Sequence, residues 1–181
     1  MLFLACALCV PVAARAQQIS IETSGEGDLV SVTASAEMRV DPRTAWNVIS
    51  DYDHLAQFIP DMRSSRVVLR KGDELLVEQM GEFGFLFFRQ HVDVKLAVIE
   101  YPPRRIVARA IGGNVREMEG RYELETLPSG VRLSYFGRLV PEFSLPPIFG
   151  RMVVRKVMAK QFTAMVEEII RRDALAAPRP R

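Results

Sequence analysis

The last long stretch of the chain constrains the fold most. Residues 151–177 contain neither Gly nor Pro, and Pro146 and Pro147 stand ahead of them, where a missing N–H costs a helix start nothing. Met158, Phe162, Met165, Val166, Ile169 and Ile170 recur at helical spacing. This predicts one long helix from Pro146 to about Ala176 with an apolar face. From Met158 onward that face is coherent, with Lys160, Glu167, Glu168 and Arg171 off it. Over 145–157 the pattern shifts: Phe149, Val153 and Val157 turn away from the stripe, and Arg151 and Arg155 fall into it.

Everything ahead of this helix reads as short strands. Leu29 to Val40 alternates with a period of two, as a half-buried strand does. Asp41-Pro42 then supplies an N-cap and a first helical residue, and Thr44 to Ser50 reads as a short helix carrying Trp46. Residues 51–62 form a second short helical piece ending at Pro60. Strands follow over 62–70, 74–82, 90–100, 105–111, 116–126 and 131–140, separated by turns such as Lys71-Gly72-Asp73 and Pro128-Ser129-Gly130. Val92, Val94, Leu96 and Val98 share one face, as do Met118, Gly120, Tyr122 and Leu124. The expected fold is α+β: a curved antiparallel sheet, two short helices after the first strand, and the long helix covering the apolar side.

A hydrophobic share of 49% and a charged share of 25% are ordinary globular values, and one domain is expected. The formal charge is +2. That argues against nucleic acid as a partner. The start carries an apolar run, Leu2 to Ala14, then Ala14-Arg15-Ala16, and resembles a secretory signal peptide cleaved after Ala16; an internal strand is the alternative. The run is shorter than the ~20 residues of a membrane span. Cleavage would remove Cys6 and Cys9 and leave no thiol for a disulfide or a metal. The expected organisation is signal peptide 1–16, linker or loose first strand 17–28, folded domain 29–175 and a disordered tail 176–181, in the periplasm or outside the cell.

The segment VDPRTAWNVISDYDHLAQFIPDM, residues 40–62, carries a family resemblance through Asp41, Pro42, Trp46, Asp51, Tyr52, Phe58 and Pro60. Glu100-Tyr101-Pro102-Pro103 and the stretch 167–172 fit it too. The chain resembles the START-like (SRPBCC) superfamily, in its polyketide cyclase/dehydrase branch that includes coenzyme Q-binding proteins. The resemblance covers about 29–173. It implies a helix-grip fold, with about seven strands curled around a C-terminal helix. It also implies a cavity for a lipid, a quinone or a polyketide-like molecule.

Catalytic groups are sparse. His91 falls on the polar phase of its strand. His54 lies beside Asp51 and Asp53, which read as helix caps rather than as acid/base partners. Two carboxylates and one His do not make a metal site. No phosphate loop, nucleophile elbow or dinucleotide fingerprint is present, and no cofactor is expected. The Phe83–Phe88 cluster fits core, a gate over the cavity, or a tip touching lipid. Tyr122 and Tyr135 lie on the apolar phase, placed either to orient a ligand oxygen or to satisfy each other or the backbone. The candidate cavity residues are Phe58, Phe85, Phe87, Met118, Tyr122, Tyr135, Arg151, Met152, Arg155, Met158 and Phe162. Arg151 and Arg155 are expected at the cavity entrance facing an acidic head group, or else reaching out to water. The reading favours a binding or transfer protein for a hydrophobic small molecule, with peripheral membrane contact in view. A polyketide cyclase or dehydratase using Tyr122 or Tyr135 with Arg109 or Arg155, and a non-ligand interaction module, are the alternatives.

Overall fold

The computed structural model describes residues 19–25, 29–85, 88–141 and 150–176. The signal-peptide segment, Phe87, the start of the long helix before Gly150 and the tail from 177 lie outside them. Eight strands run in the order β1 (Ile19–Ser24), β2 (Val30–Met38), β3 (Met62–Lys71), β4 (Glu74–Phe85), β5 (Phe88–Tyr101), β6 (Arg105–Gly113), β7 (Val115–Leu127) and β8 (Gly130–Pro141). Helix α1 (Pro42–Ile49) and a 3-10 turn (Tyr52–Gln57) follow β2, and α2 (Gly150–Ala176) closes the chain.

One antiparallel sheet holds every strand, ordered β1-β2-β8-β7-β6-β5-β4-β3. It is the expected helix-grip with one strand more than the seven foreseen. The extra strand is β1, inside the segment read as a linker or loose first strand. It pairs residue for residue with β2, from Ile19↔Ala36 to Ser24↔Ser31. Only Ile19 and Ile21 pack toward the core, so its alternation is faint in a polar sequence.

Asp41 caps α1 as expected, its side chain accepting from the Arg43 N–H at 2.7 Å, with Pro42 at the first helical position. The β3–β4 hairpin turns at Gly72, whose φ of +60° suits glycine. The inward phases read from the sequence are buried: Val94, Leu96 and Val98 on β5, Leu124 on β7, Leu133 and Tyr135 on β8. From α2, Phe162, Met165, Val166 and Ile169 enter the same core.

Two readings of α2 change. Val153 and Val154 are buried at 3% and 6% exposure, while Arg155 is exposed. Val154 joins the main core, Val153 is buried outside it, and Arg155 is left in water. Glu168, placed off the apolar face, is 8% exposed. It is covered by Arg171 and Arg172, which both bond its carboxylate.

Candidate functional site

Between the concave sheet face and α2 lies a chamber of about 150 Å³. Its wall is mostly apolar: Leu96, Val98, Ile106 and Ala108 from the sheet, Ile49 and Leu55 from the short helices, Met158 and Met165 from α2. A second chamber of about 170 Å³ adjoins it, bordered by Asp61, Gly81, Val92, Val115 and Val157. Met62, Gln79, Met118 and Gln161 border both. Neither chamber alone reaches the roughly 300 Å³ at which ligand pockets begin, so a ligand needs both.

Larger hollows of about 270 and 520 Å³ open along β6–β8. They are lined by arginines and glutamates, including the ion pair Arg109–Glu119. The inner chambers are the apolar ones. Met118 also borders the smaller hollow, beyond the last β6–β7 pair, Arg109↔Glu119.

The polar groups of the inner chamber are Tyr52, Tyr122, Tyr135, Gln79 and Gln161. Tyr122 and Tyr135 pair across β7 and β8, with ring centroids 4.8 Å apart. The bare backbone of Gly120 and Gly137 makes room for the Tyr135 ring. Neither tyrosine hydroxyl hydrogen-bonds another described residue. Burial raises the pKa of both, that of Tyr135 to about 12, and Tyr135 adds to the rise at Tyr122. Burial, and then the charge of nearby Glu100, raises that of Tyr52. Near neutral pH all three are hydrogen-bond donors and none is a base. Gln79 donates to Ser65 Oγ at 3.2 Å and Gln161 to the Pro60 carbonyl at 3.4 Å.

Of the candidate residues, Met118, Tyr122, Tyr135 and Met158 line the inner chamber. Phe162 is sealed in the core at 1% exposure, and Phe58 packs at the core edge with the Arg172 guanidinium 5.6 Å from its ring centre. Met152 is 40% exposed and Arg155 is exposed, and neither borders a chamber. The side chains of Phe85 and Arg151, like all of Phe87, lie outside the described residues.

The charged groups bordering the second chamber are instead Asp61, held by Lys160, whose Nζ reaches both carboxylate oxygens at 3.1 Å, and Glu82, which pairs with Arg63 and Arg89. Arg109 pairs with Glu119, so the arginines considered for cyclase chemistry do not join the tyrosines.

Asp51 and Asp53 do not cap the turn. Asp51 bonds His54 Nδ1 at 2.6 Å and Arg172 at 2.7 Å, while Asp53 accepts from the Val67 N–H at 2.7 Å. Burial raises the Asp51 pKa, but the His54 and Arg172 bonds outweigh it and hold it below the usual range.

Sequence reasoning passed over Tyr52, Gln79, Glu100 and Gln161. Three carry a readable signal. Gln79 continues the inward phase of Leu75 and Val77, Glu100 continues that of Leu96 and Val98, and Gln161 sits one turn from Met158 and Met165. A polar residue on an apolar phase marks where a wall carries a hydrogen-bonding group. Among the described residues no cluster of His, Cys, Asp and Glu could hold a metal, and no helix is long and apolar enough to cross a membrane.

No curated protein matches the chain. Among solved structures it is similar to a STAR-related lipid transfer protein from Xanthomonas axonopodis, at 12% identity and a TM-score of 0.66, over 87% of this chain and 95% of that one. It is similar to an aromatase/cyclase from Streptomyces sp. R1128, at 15% identity and a TM-score of 0.64, over 81% of this chain and 93% of that one. A START superfamily protein from Mycobacterium smegmatis, at 17% identity and a TM-score of 0.59, covers 82% of this chain and 99% of its own. At such identities the likeness establishes the fold. The family model for polyketide cyclases / dehydrases and lipid transport matches residues 38–168, most of the chain and every residue that lines the two chambers, and the chain belongs to that family.

Proposed function

We propose that the protein binds or transfers a hydrophobic small molecule, such as a lipid, a quinone or a polyketide-like compound, held between the sheet and α2. The observation that carries this reading is the pair of adjoining apolar chambers, with neutral hydrogen-bonding groups on their shared wall. Such groups orient a ligand. The family and the lipid transfer neighbour support the same class of ligand. The aromatase/cyclase neighbour supports the second reading, a cyclase or dehydratase. The buried Tyr122–Tyr135 pair favours it in one respect, because two protonated hydroxyls side by side can hold an enolate oxygen.

The binding reading is tested by native mass spectrometry of the purified protein, followed by titration with single-chain lipids and short-tail quinones. A one-to-one complex is expected, and Ala108→Phe, which fills the inner chamber, should abolish it. Absence of any complex, or binding untouched by Ala108→Phe, overturns the reading. Turnover of a polyketide mimic that disappears in Tyr122→Phe/Tyr135→Phe would establish the enzyme instead.

The apolar start and its Ala14-Arg15-Ala16 site support export to the periplasm or beyond. N-terminal sequencing of the protein from fractionated cells should begin at Gln17; a retained leader in the cytosolic fraction would refute it.

A further inference from the structure

Tyr122 and Tyr135 put two donors on the wall of the inner chamber that the described residues leave unused. Both line it as register partners on β7 and β8. Their rings stand 4.8 Å apart, yet the hydroxyls bond neither each other nor another described residue. Neither hydroxyl is sealed off from water-sized space. Tyr135 is only 8% exposed, and its ring lies against Gly120 and Gly137, where a built Cβ would stand 3.2 and 2.5 Å from its oxygen. The direction of that donor is thus set by the sheet. Burial keeps both phenols protonated near neutral pH. Among the described residues, none that lines this chamber is charged. The charges bordering the second chamber, Asp61 and Glu82, are already met by Lys160, Arg63 and Arg89. A ligand that displaces water from two such donors has to replace the bonds the water made.

We infer that Tyr122 and Tyr135 form the polar end of the cavity and select a ligand that carries a neutral carbonyl on an apolar body. This inference rests on the binding reading above. The chemistry narrows the choice by elimination. A carbonyl oxygen has two lone pairs and no proton, so it can take both donors at once. An alcohol brings a third proton that needs an acceptor in turn. A carboxylate or an ammonium carries its charge into a wall that holds no counter-charge. A hydrocarbon leaves both donors unmet.

Isothermal titration calorimetry with four probes of one chain length tests it: 2-decanone, 2-decanol, decanoate and decylammonium at neutral pH. The ketone should bind about tenfold tighter than either ion and about threefold tighter than the alcohol. Tyr122→Phe and Tyr135→Phe keep the rings and remove the hydroxyls. Each should weaken the ketone about three- to tenfold, leave decylammonium unchanged and leave the melting temperature of the ligand-free protein unchanged. In the infrared, the carbonyl band of the bound ketone should lie below its position in a hydrocarbon solvent, and should return toward it in the double Tyr122→Phe/Tyr135→Phe protein. Equal binding of all four probes, or a ketone affinity unchanged in either single variant, overturns the inference while leaving the binding reading intact. A variant that melts lower and keeps its ketone affinity assigns that hydroxyl to folding and also overturns it. Should a variant not fold, the parent's infrared band decides, since a band at the hydrocarbon position excludes bonded donors. If none of the four probes binds, the binding reading falls and this inference falls with it.

Discussion

Gly120 and Gly137 face each other across β7 and β8. A Cβ built on Gly137 would lie 2.5 Å from the Tyr135 hydroxyl and 2.8 Å from two of its ring carbons, and one on Gly120 would lie 3.2 Å from that hydroxyl. The ring therefore rests against bare backbone, which keeps it against the wall of the chamber. Gly137→Ala forces the ring off its seat and into the space a ligand would use. It should cost about 1–3 kcal/mol, the range for overpacking a core, as a lower midpoint in urea denaturation. Gly120→Ala should cost less, since the nearest contact is only the tip of the side chain. Tyr135→Ala combined with Gly137→Ala should show strong non-additivity, because removing the ring removes the clash. Additive costs would mean that the two residues are energetically independent.

At the scale of the element, α2 is fixed at its C-terminal half by packing and by a charge network. Phe162 is fully buried among core side chains, so Phe162→Ala should cost about 3–5 kcal/mol in the same denaturation assay. Further on, Arg171 Nε meets Glu168 Oε2 at 2.6 Å, Arg172 Nε meets Oε1 at 2.7 Å, and Arg172 Nη1 reaches Asp51 at 2.7 Å. Asp173 accepts from the Asp41 N–H at 2.9 Å, which ties the same turn to the start of α1. The Arg171 bond, and with it that of Arg172, outweighs burial and lowers the Glu168 pKa from 4.5 to about 2. A carboxylate with a folded value below its unfolded one stabilises the fold above pH 4.5, and that contribution is lost as the pH falls toward about 2. With Arg171 largely in water, the contribution should be on the order of 1–2 kcal/mol. Melting temperatures measured across this acid window should fall less steeply for Glu168→Gln than for the parent; parallel curves would show that Glu168 carries no such linkage. The i,i+3 and i,i+4 spacing of Glu168, Arg171 and Arg172 is plain in the sequence. The fourth member of the network is not, since Asp51 stands 121 residues earlier and meets Arg172 only in the folded chain.

Across the whole molecule, period-two alternation and one helical stripe suffice to read the grip, because each strand must bury one face and only α2 can cover it. β1 stays open in the sequence between a linker and a loose first strand because two isoleucines in a polar edge strand make a faint pattern. The cavity itself is illegible by the same logic. An apolar phase looks alike whether its side chains interdigitate or stop short of one another, so Phe162 and Met158 share a stripe although one fills the core and the other lines the chamber. What separates a packed interior from a receptive one is the stability gained when the space is filled. A ligand at a hundred times its Kd that binds only the folded state adds about 2.7 kcal/mol. For a chain of this length that should raise the melting temperature by roughly 5–10 °C. Gly137→Ala places the Tyr135 ring in the same space, so it should melt lower without ligand and gain almost nothing from it. A parent protein that no apolar ligand stabilises has a closed core. A Gly137→Ala protein that gains the full shift holds its ligand somewhere other than between the sheet and α2.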